Sequence, residues 1–430
     1  MNLKAKVLVA SLFGSTIEWY DFFLYGTMAP LVFNKLFFPT FDPSVALLVA
    51  YAGFGISFFF RPFGGIIFSH LGDRIGRKKT LILTLLVMGL ATSIIGLLPS
   101  YESIGFAAPV LLILMRAVQG IGLGGEWGGS MLLAVEYAAP NKKGLFGSVP
   151  MIGVYIGMLM GTGSISLLTA LPGDQFLQWG WRLPFLFSAI LVALGIWIRK
   201  EIDETPEFKE AESKGELAKF PLKDTLRDHW REVLLTFGIK PIESAPFYLY
   251  TVFVISYLTK VMGYNQKDVL NAITVAVVFA GIAIPFMGGL SDKIGRKRLF
   301  VISACGVMLF VFPAFYMLEL KSPAILYPTI TLGLMMSTPL TAMIGTLFSE
   351  VFKTQVRYTG ISLGFHLGTA VSGGVFPFVA TALLGAYANS WQPVALYLIG
   401  YGVISLFSLF LASRFIRSRE KRLAATVSAS

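Results

Sequence analysis

Seven ionisable side chains interrupt long apolar stretches of this 430-residue chain: Glu18, Asp21, Arg61, Arg116, Glu126, Lys240 and Glu243. In stretches long enough to cross a bilayer, each such charge costs roughly 2.5–3.5 kcal/mol at mid-depth, so each is a candidate functional group. Glu18 and Asp21 are three residues apart, which places both on one face of a helix. Lys240 and Glu243 repeat that spacing in the second half, and the two pairs are expected at similar depth. The acids at 18, 21, 126 and 243 outnumber the cations at 61, 116 and 240. One carboxyl therefore lacks a counter-charge, and a carboxyl held out of water without one favours its protonated form. Glu18 or Asp21 is the expected proton carrier; the alternative is that every acid is locked in an ion pair. Glu126, in a glycine-rich stretch, is expected chiefly to tie helices together.

The cations point to the cargo. Arg61 and Arg116 offer forked donors to a carboxylate and Lys240 a point charge, so a small organic anion or zwitterion suits them. Gln119, Trp19, Tyr20, Tyr248 and Tyr250 can add neutral hydrogen bonds and ring surfaces, or serve only in packing. His366 either titrates and binds or packs. With His70, His229 and His366 scattered and Cys305 the single cysteine, no metal site is expected, and no phosphate-binding loop for ATP is present. The only coupling partner expected is the proton.

The elements that position these groups are apolar helices. Hydrophobic residues make up 55% of the chain and charged ones 14%, outside the usual range of water-soluble domains. Twelve apolar runs are long enough to span: Val7–Phe33, Val45–His70, Thr80–Leu98, Ala107–Tyr137, Leu145–Ala170 and Arg182–Ile198, then Val233–Thr259, Asp268–Leu290, Leu299–Leu318, Ala324–Val351, Thr359–Gly385 and Pro393–Ala412. The expected architecture is an all-α membrane protein with two pseudo-symmetric six-helix bundles, 1–198 and 233–413. A linker at 199–232, helical near Glu207–Glu216, joins them, and 414–430 forms a tail. No cleavable leader is expected, because the first apolar run holds Glu18 and Asp21. Alternate loops carry the Lys and Arg, among them Arg74, Lys78, Lys142, Lys297 and Lys353, so both termini are expected in the cytoplasm of a multi-pass plasma-membrane protein. The net charge of +11 follows from this topology, and no nucleic-acid partner is expected.

A duplicated phrase supports two halves: Gly72-Asp-Arg-Ile-Gly-Arg-Lys-Lys79 and Ser291-Asp-Lys-Ile-Gly-Arg-Lys-Arg298 lie about half a chain apart. Glu136, Lys143 and Gly144 after the fourth run resemble Glu350, Arg357 and Gly360 after the tenth. The paired loops resemble the signature of the major facilitator superfamily, although Ser69 stands where the first copy usually has glycine. Ile17-Glu-Trp-Tyr-Asp-Phe22, Phe60-Arg-Pro-Phe-Gly-Gly65, Arg116-x-x-Gln119-Gly120 with Gly124-Gly-Glu126, and Trp179-Gly-Trp-Arg-Leu-Pro-Phe185 narrow the resemblance to the metabolite:proton symporter family.

That resemblance, which spans essentially the whole chain, implies the major facilitator fold and proton-coupled import of a metabolite such as shikimate, α-ketoglutarate, citrate, proline or betaine, and no enzyme activity. A carboxylate-bearing metabolite is the expected cargo. The alternatives are an osmolyte transporter of the proline/betaine type, or a non-transporting sensor on the same scaffold. Asp73, Arg77, Glu136, Asp292, Arg296, Glu350 and Arg357 are expected to form a cytoplasmic gate of ion pairs that holds helix ends together and opens as the halves rock. The bilayer and one small molecule are the expected partners, with the chain acting as a monomer. Gly153, Gly157 and Gly161 recur every fourth residue and should let the fifth helix approach a neighbour closely.

Overall fold

The computed structural model describes residues 3–172, 174–215 and 221–427. Six long helices form the N-terminal unit, Met1–Pro221: α1 (Leu3–Met28), α2 (Pro43–Ile75), α3 (Arg77–Leu97), α4 (Ala107–Glu136), α5 (Lys143–Leu168) and α6 (Arg182–Lys200). A short helix, α7 (Pro206–Ser213), follows; the expected linker helix reached Glu216, which lies outside the described residues. The C-terminal unit, Leu222–Ser430, contains most of α8 (Pro221–Asp228), then α9 (Trp230–Ile239), α10 (Pro241–Tyr248), α11 (Gln266–Ile294), α12 (Arg296–Glu319), α13 (Pro323–Ser349), α14 (Arg357–Thr369), α15 (Phe376–Ala386) and α16 (Gln392–Val427).

Among the described residues, eleven helical runs are long and apolar enough to cross a membrane. The twelfth, expected at Val233–Thr259, is present as consecutive short pieces. Pro241 lacks the N–H that would continue the ladder, so α9 gives way to α10 at Lys240, and Pro246 removes a second N–H inside α10. Wide turns at Leu249–Phe253 and Tyr257–Val261 interrupt it again. Lys240 and Glu243 thus sit at a break, where the sequence suggests an unbroken helix like α1.

Helix pairing inside the two units runs in parallel. In the N-terminal unit α1 lies along α5, α2 along α4, and α3 against α4 and α6. In the C-terminal unit α9 lies along α14, α11 along α13, and α12 against α13. Glycine sets the closeness. A Cβ on Gly157 would stand 2.6 Å from the Thr16 oxygen and Tyr20 nitrogen of the α1 backbone, and one on Gly153 2.7 Å from the Thr16 nitrogen. The α5 glycines therefore hold the stretch of α1 that bears Glu18 and Asp21. Main-chain atoms cannot move aside as a side chain can, so added volume here must separate the helices.

We expect Gly157→Ala to destabilise the protein by about 1–3 kcal/mol, whereas Gly163→Ala, whose added Cβ meets no neighbouring helix within 4 Å, does not destabilise it. Thermal unfolding in detergent distinguishes them; equal melting temperatures would contradict the packing argument.

Candidate functional site

One face of α1 presents Gly14, Glu18, Asp21 and Tyr25, spaced by four, three and four residues. Each meets different groups of the N-terminal unit. At Gly14 the missing side chain makes room for a buried ion pair between Glu126 of α4 and Arg199 of α6; a Cβ there would fall on both side chains. Arg199 Nη1 donates to Glu126 Oε2 at 3.0 Å, while the hydroxyls of Thr84 and Ser130 donate to the same carboxylate at 2.8 and 2.7 Å. Glu126 is therefore a tie between helices. Its partner went unrecognised in the sequence, where Arg199 follows the sixth apolar run and opens the expected polar linker.

One turn further along, Glu18 is buried with no ion pair, and its Oε2 has no hydrogen-bond partner, among the described residues. Arg61, Glu126 and Arg199 are the charges that act on it. The Arg61 guanidinium lies against three rings, its carbon 4.5 Å from the centroid of Phe22, 4.9 Å from Phe58 and 5.5 Å from Trp19. Trp19 thus meets the cation by its ring, and its Nε1 has no partner among the described residues.

Asp21 is fully buried and is held by hydroxyls. Ser188 of α6 donates to Oδ1 and Thr92 of α3 to Oδ2, each at 2.7 Å. Thr92 Oγ1 also accepts from Gln119 Nε2 at 2.8 Å, and Gln119 Oε1 accepts from Arg116 Nη1. Arg116 donates through Nε to the Gly53 carbonyl at 3.2 Å and stacks 3.9 Å over the Tyr25 ring, while its Nη2 has no partner among the described residues. A continuous chain of hydrogen bonds therefore runs from Arg116 through Gln119 and Thr92 to Asp21. Tyr20 stands apart: its hydroxyl donates to the Pro184 carbonyl at 2.8 Å, fastening α1 to α6.

In the C-terminal unit Lys240 pairs with Glu243, and Ser244 Oγ donates to the same carboxylate at 3.0 Å. Lys240 Nζ also lies 3.9 Å from the Phe365 centroid. His366, beside Phe365 on α14, and Tyr248 on α10 are both buried. The spacing shared with Glu18 and Asp21 thus gives a different result here, a pair that is neutral within itself.

The expected gate residues form one cluster in each unit. Arg77 Nη2 lies 3.3 Å from Asp73 and 3.7 Å from Glu136. Arg296 reaches Asp292 at 2.8 Å and Glu350 at 2.6 Å. Arg357 opens α14. Both loops turn on glycines with positive φ, Gly76 at 104° and Gly295 at 92°, a conformation that side chains disfavour. Glu204, read in the sequence only as part of a polar linker, closes the first cluster. Its carboxylate accepts from the Arg77 and Lys78 backbone nitrogens at 3.0 and 3.1 Å, satisfying the open N-terminus of α3.

The profile of the Major Facilitator Superfamily matches residues 11–377. The chain belongs to that superfamily. It is 39% identical to the shikimate transporter of Escherichia coli over 96% of this chain and 95% of that protein. It is 40% identical to the inner membrane metabolite transport protein YhjE of the same organism, over 96% and 94%. The glycine betaine/proline/ectoine/pipecolic acid transporter OusA of Dickeya dadantii is 32% identical over 94% of this chain and 82% of its own. A solved structure of the proton:xylose symporter XylE has the same fold, with a TM-score of 0.73 over 96% of each chain and 15% identity. The superfamily chain is a multi-pass transporter of small organic molecules and not an enzyme.

Arg199→Ala should strand Glu126 as an uncompensated buried acid and destabilise the protein by about 3–5 kcal/mol. Glu126→Gln combined with Arg199→Met should recover most of that loss, because the amide retains hydroxyl partners. Folded yield and unfolding temperature check both; no difference between single and double variants would contradict the pairing.

Proposed function

We propose that this chain is a proton-coupled symporter that imports a small carboxylate-bearing metabolite across the plasma membrane by alternating access, acting as a monomer with both termini in the cytoplasm. The observation that carries the reading is the pair of buried α1 carboxyls, Glu18 and Asp21, neither in an ion pair among the described residues. A carboxyl compensated only by hydroxyls, or only by charges at a distance, can exist in both protonation states, as a proton carrier requires. Asp21 is the better placed of the two. Its hydrogen-bonded chain leads to Arg116, which keeps a donor for a cargo carboxylate.

The cargo follows from the same cations. Shikimate, proline and betaine, in the names of the relatives, all carry a carboxylate, which a guanidinium can hold through two parallel hydrogen bonds. A quaternary ammonium would need exposed aromatic faces instead. Around Trp19, Phe22 and Phe58 those faces are covered by Arg61, which favours a plain carboxylate over the betaine reading. We assign Arg61 and Arg116 to the cargo, with Trp19 beside Arg61, and Gln119 and Tyr20 to support. Lys240, Glu243, Tyr248 and His366 are the C-terminal candidates. The Asp73–Arg77–Glu136 and Asp292–Arg296–Glu350 clusters, with Arg357, are assigned to holding the cytoplasmic helix ends until the transporter opens inward.

Counterflow of radiolabelled shikimate, α-ketoglutarate, citrate, proline and betaine in proteoliposomes tests the substrate class. The expected result is exchange of a non-quaternary carboxylate, with accumulation driven by an inward proton gradient. Exchange of betaine alone, or accumulation indifferent to the gradient, would contradict the proposal. Asp21→Asn should abolish gradient-driven accumulation while retaining exchange, and retained accumulation would remove Asp21 from the coupling role.

A further inference from the structure

Thr92 has one hydroxyl hydrogen and two acceptors in reach: Asp21 Oδ2 at 2.7 Å and the carbonyl of Met88, one turn back on its own helix, at 3.0 Å. Its oxygen also accepts from Gln119 Nε2. When Asp21 is charged, the Thr92 hydrogen points to Oδ2 and the Ser188 hydrogen to Oδ1. When Oδ2 carries a proton, that proton can be donated to the remaining lone pair of Thr92, and the Thr92 hydrogen turns to Met88. Gln119 continues to donate to Thr92 in both arrangements. The Asp21 oxygens, the Thr92 hydroxyl and the Ser188 hydroxyl keep hydrogen-bond partners in either state, although Asp21, Thr92, Gln119 and Ser188 are all buried.

We infer that Thr92 is the positioning residue that lets Asp21 exchange its proton inside the N-terminal unit, by reversing its hydroxyl between Asp21 and the Met88 carbonyl. The inference rests on Asp21 as the coupling acid. Thr92 acts through Asp21 on one side and through Gln119 on Arg116 on the other. Each exchange adds or removes one proton at Oδ2, and only the direction of the Thr92 O–H bond changes.

The charged and titratable groups around Asp21 leave this role to a hydroxyl. On its own helix are Glu18, Tyr20 and Tyr25, on α4 Arg116 and, toward the cytoplasmic end, Glu126, on α2 Arg61, and on α6 Arg199. Along α3 the Lys and Arg are confined to Arg77, Lys78 and Lys79 in its first turn, and along α5 to Lys143. Among the described residues, the two groups within hydrogen-bond distance of the Asp21 oxygens are Thr92 and Ser188. Among the described residues the Ser188 hydroxyl has Asp21 as its one acceptor, whereas Thr92 also has Met88, so the reversal is placed on Thr92.

Infrared titration of the purified, reconstituted protein reads the Asp21 carboxyl directly and needs no cargo. Wild type should show a protonated-carboxyl C=O band, absent in Asp21→Asn, at a frequency lowered by donation to an oxygen. Thr92→Val removes a hydrogen bond to the charged form that is stronger than the one to the neutral form. The band's midpoint should therefore move up by about one pH unit and its frequency should rise. Thr92→Ser should restore both, which a loss of packing alone would not allow. A titrating band left undiminished by Asp21→Asn overturns Asp21 as the proton site. A band lost in Asp21→Asn but unmoved in midpoint and frequency by Thr92→Val overturns the Thr92 inference alone. If Thr92→Val does not fold, the wild-type band decides: a frequency typical of a carboxyl without an acceptor overturns the inference, and a lowered one supports it.

Discussion

The N-terminal unit is organised by the need to keep charge on one face of α1 away from water and still compensated. Gly14, Glu18, Asp21 and Tyr25 form that face, and the neighbouring helices answer it differently along its length. The Glu126–Arg199 pair passes over Gly14, hydroxyls from α3 and α6 hold Asp21, and Arg116 covers the Tyr25 ring. The α5 glycines press α1 into place from its other side, so the geometry of the acids depends on contacts that carry no charge.

The two units treat the same spacing of charges in opposite ways. Lys240 and Glu243 neutralise each other at a break made by Pro241, whereas Glu18 and Asp21 are both acids on an unbroken helix. A buried pair of opposite charges resists protonation changes, because neutralising one partner strands the other. A carboxyl held by hydroxyls has no such restraint. The same spacing thus gives an internally paired site in one unit and two buried acids outside any ion pair, among the described residues, in the other.

Much of this was legible in the sequence because bilayer physics leaves few alternatives. Apolar runs of spanning length must be helices, and the duplicated Gly-Arg-Lys loops divide them into equal halves. The intramembrane charges stood out for their cost, and Glu126 was read correctly as a tie without its partner. Arg199 was hidden because hydropathy ends a span at the first cation, whether or not that cation turns inward. Thr92 and Ser188 gave no signal, since threonines in these helices commonly return their hydroxyl to their own backbone, as Thr16, Thr27 and Thr162 do. Glu204 was invisible for a related reason: a carboxylate that caps a distant helix is indistinguishable in sequence from linker charge. The break at Lys240 was marked by Pro241 and Pro246, but the apolar run around them outweighed it.

The central claim is that a proton enters with the cargo by way of an α1 carboxyl. Its most direct measurement is the pH of a weakly buffered medium when the exchanged carboxylate is added to de-energised proteoliposomes. The account predicts alkalinisation of the outside with the wild-type protein and none with Asp21→Asn, although that variant still exchanges cargo. Uptake without alkalinisation in the wild type, or equal alkalinisation in the variant, would contradict it.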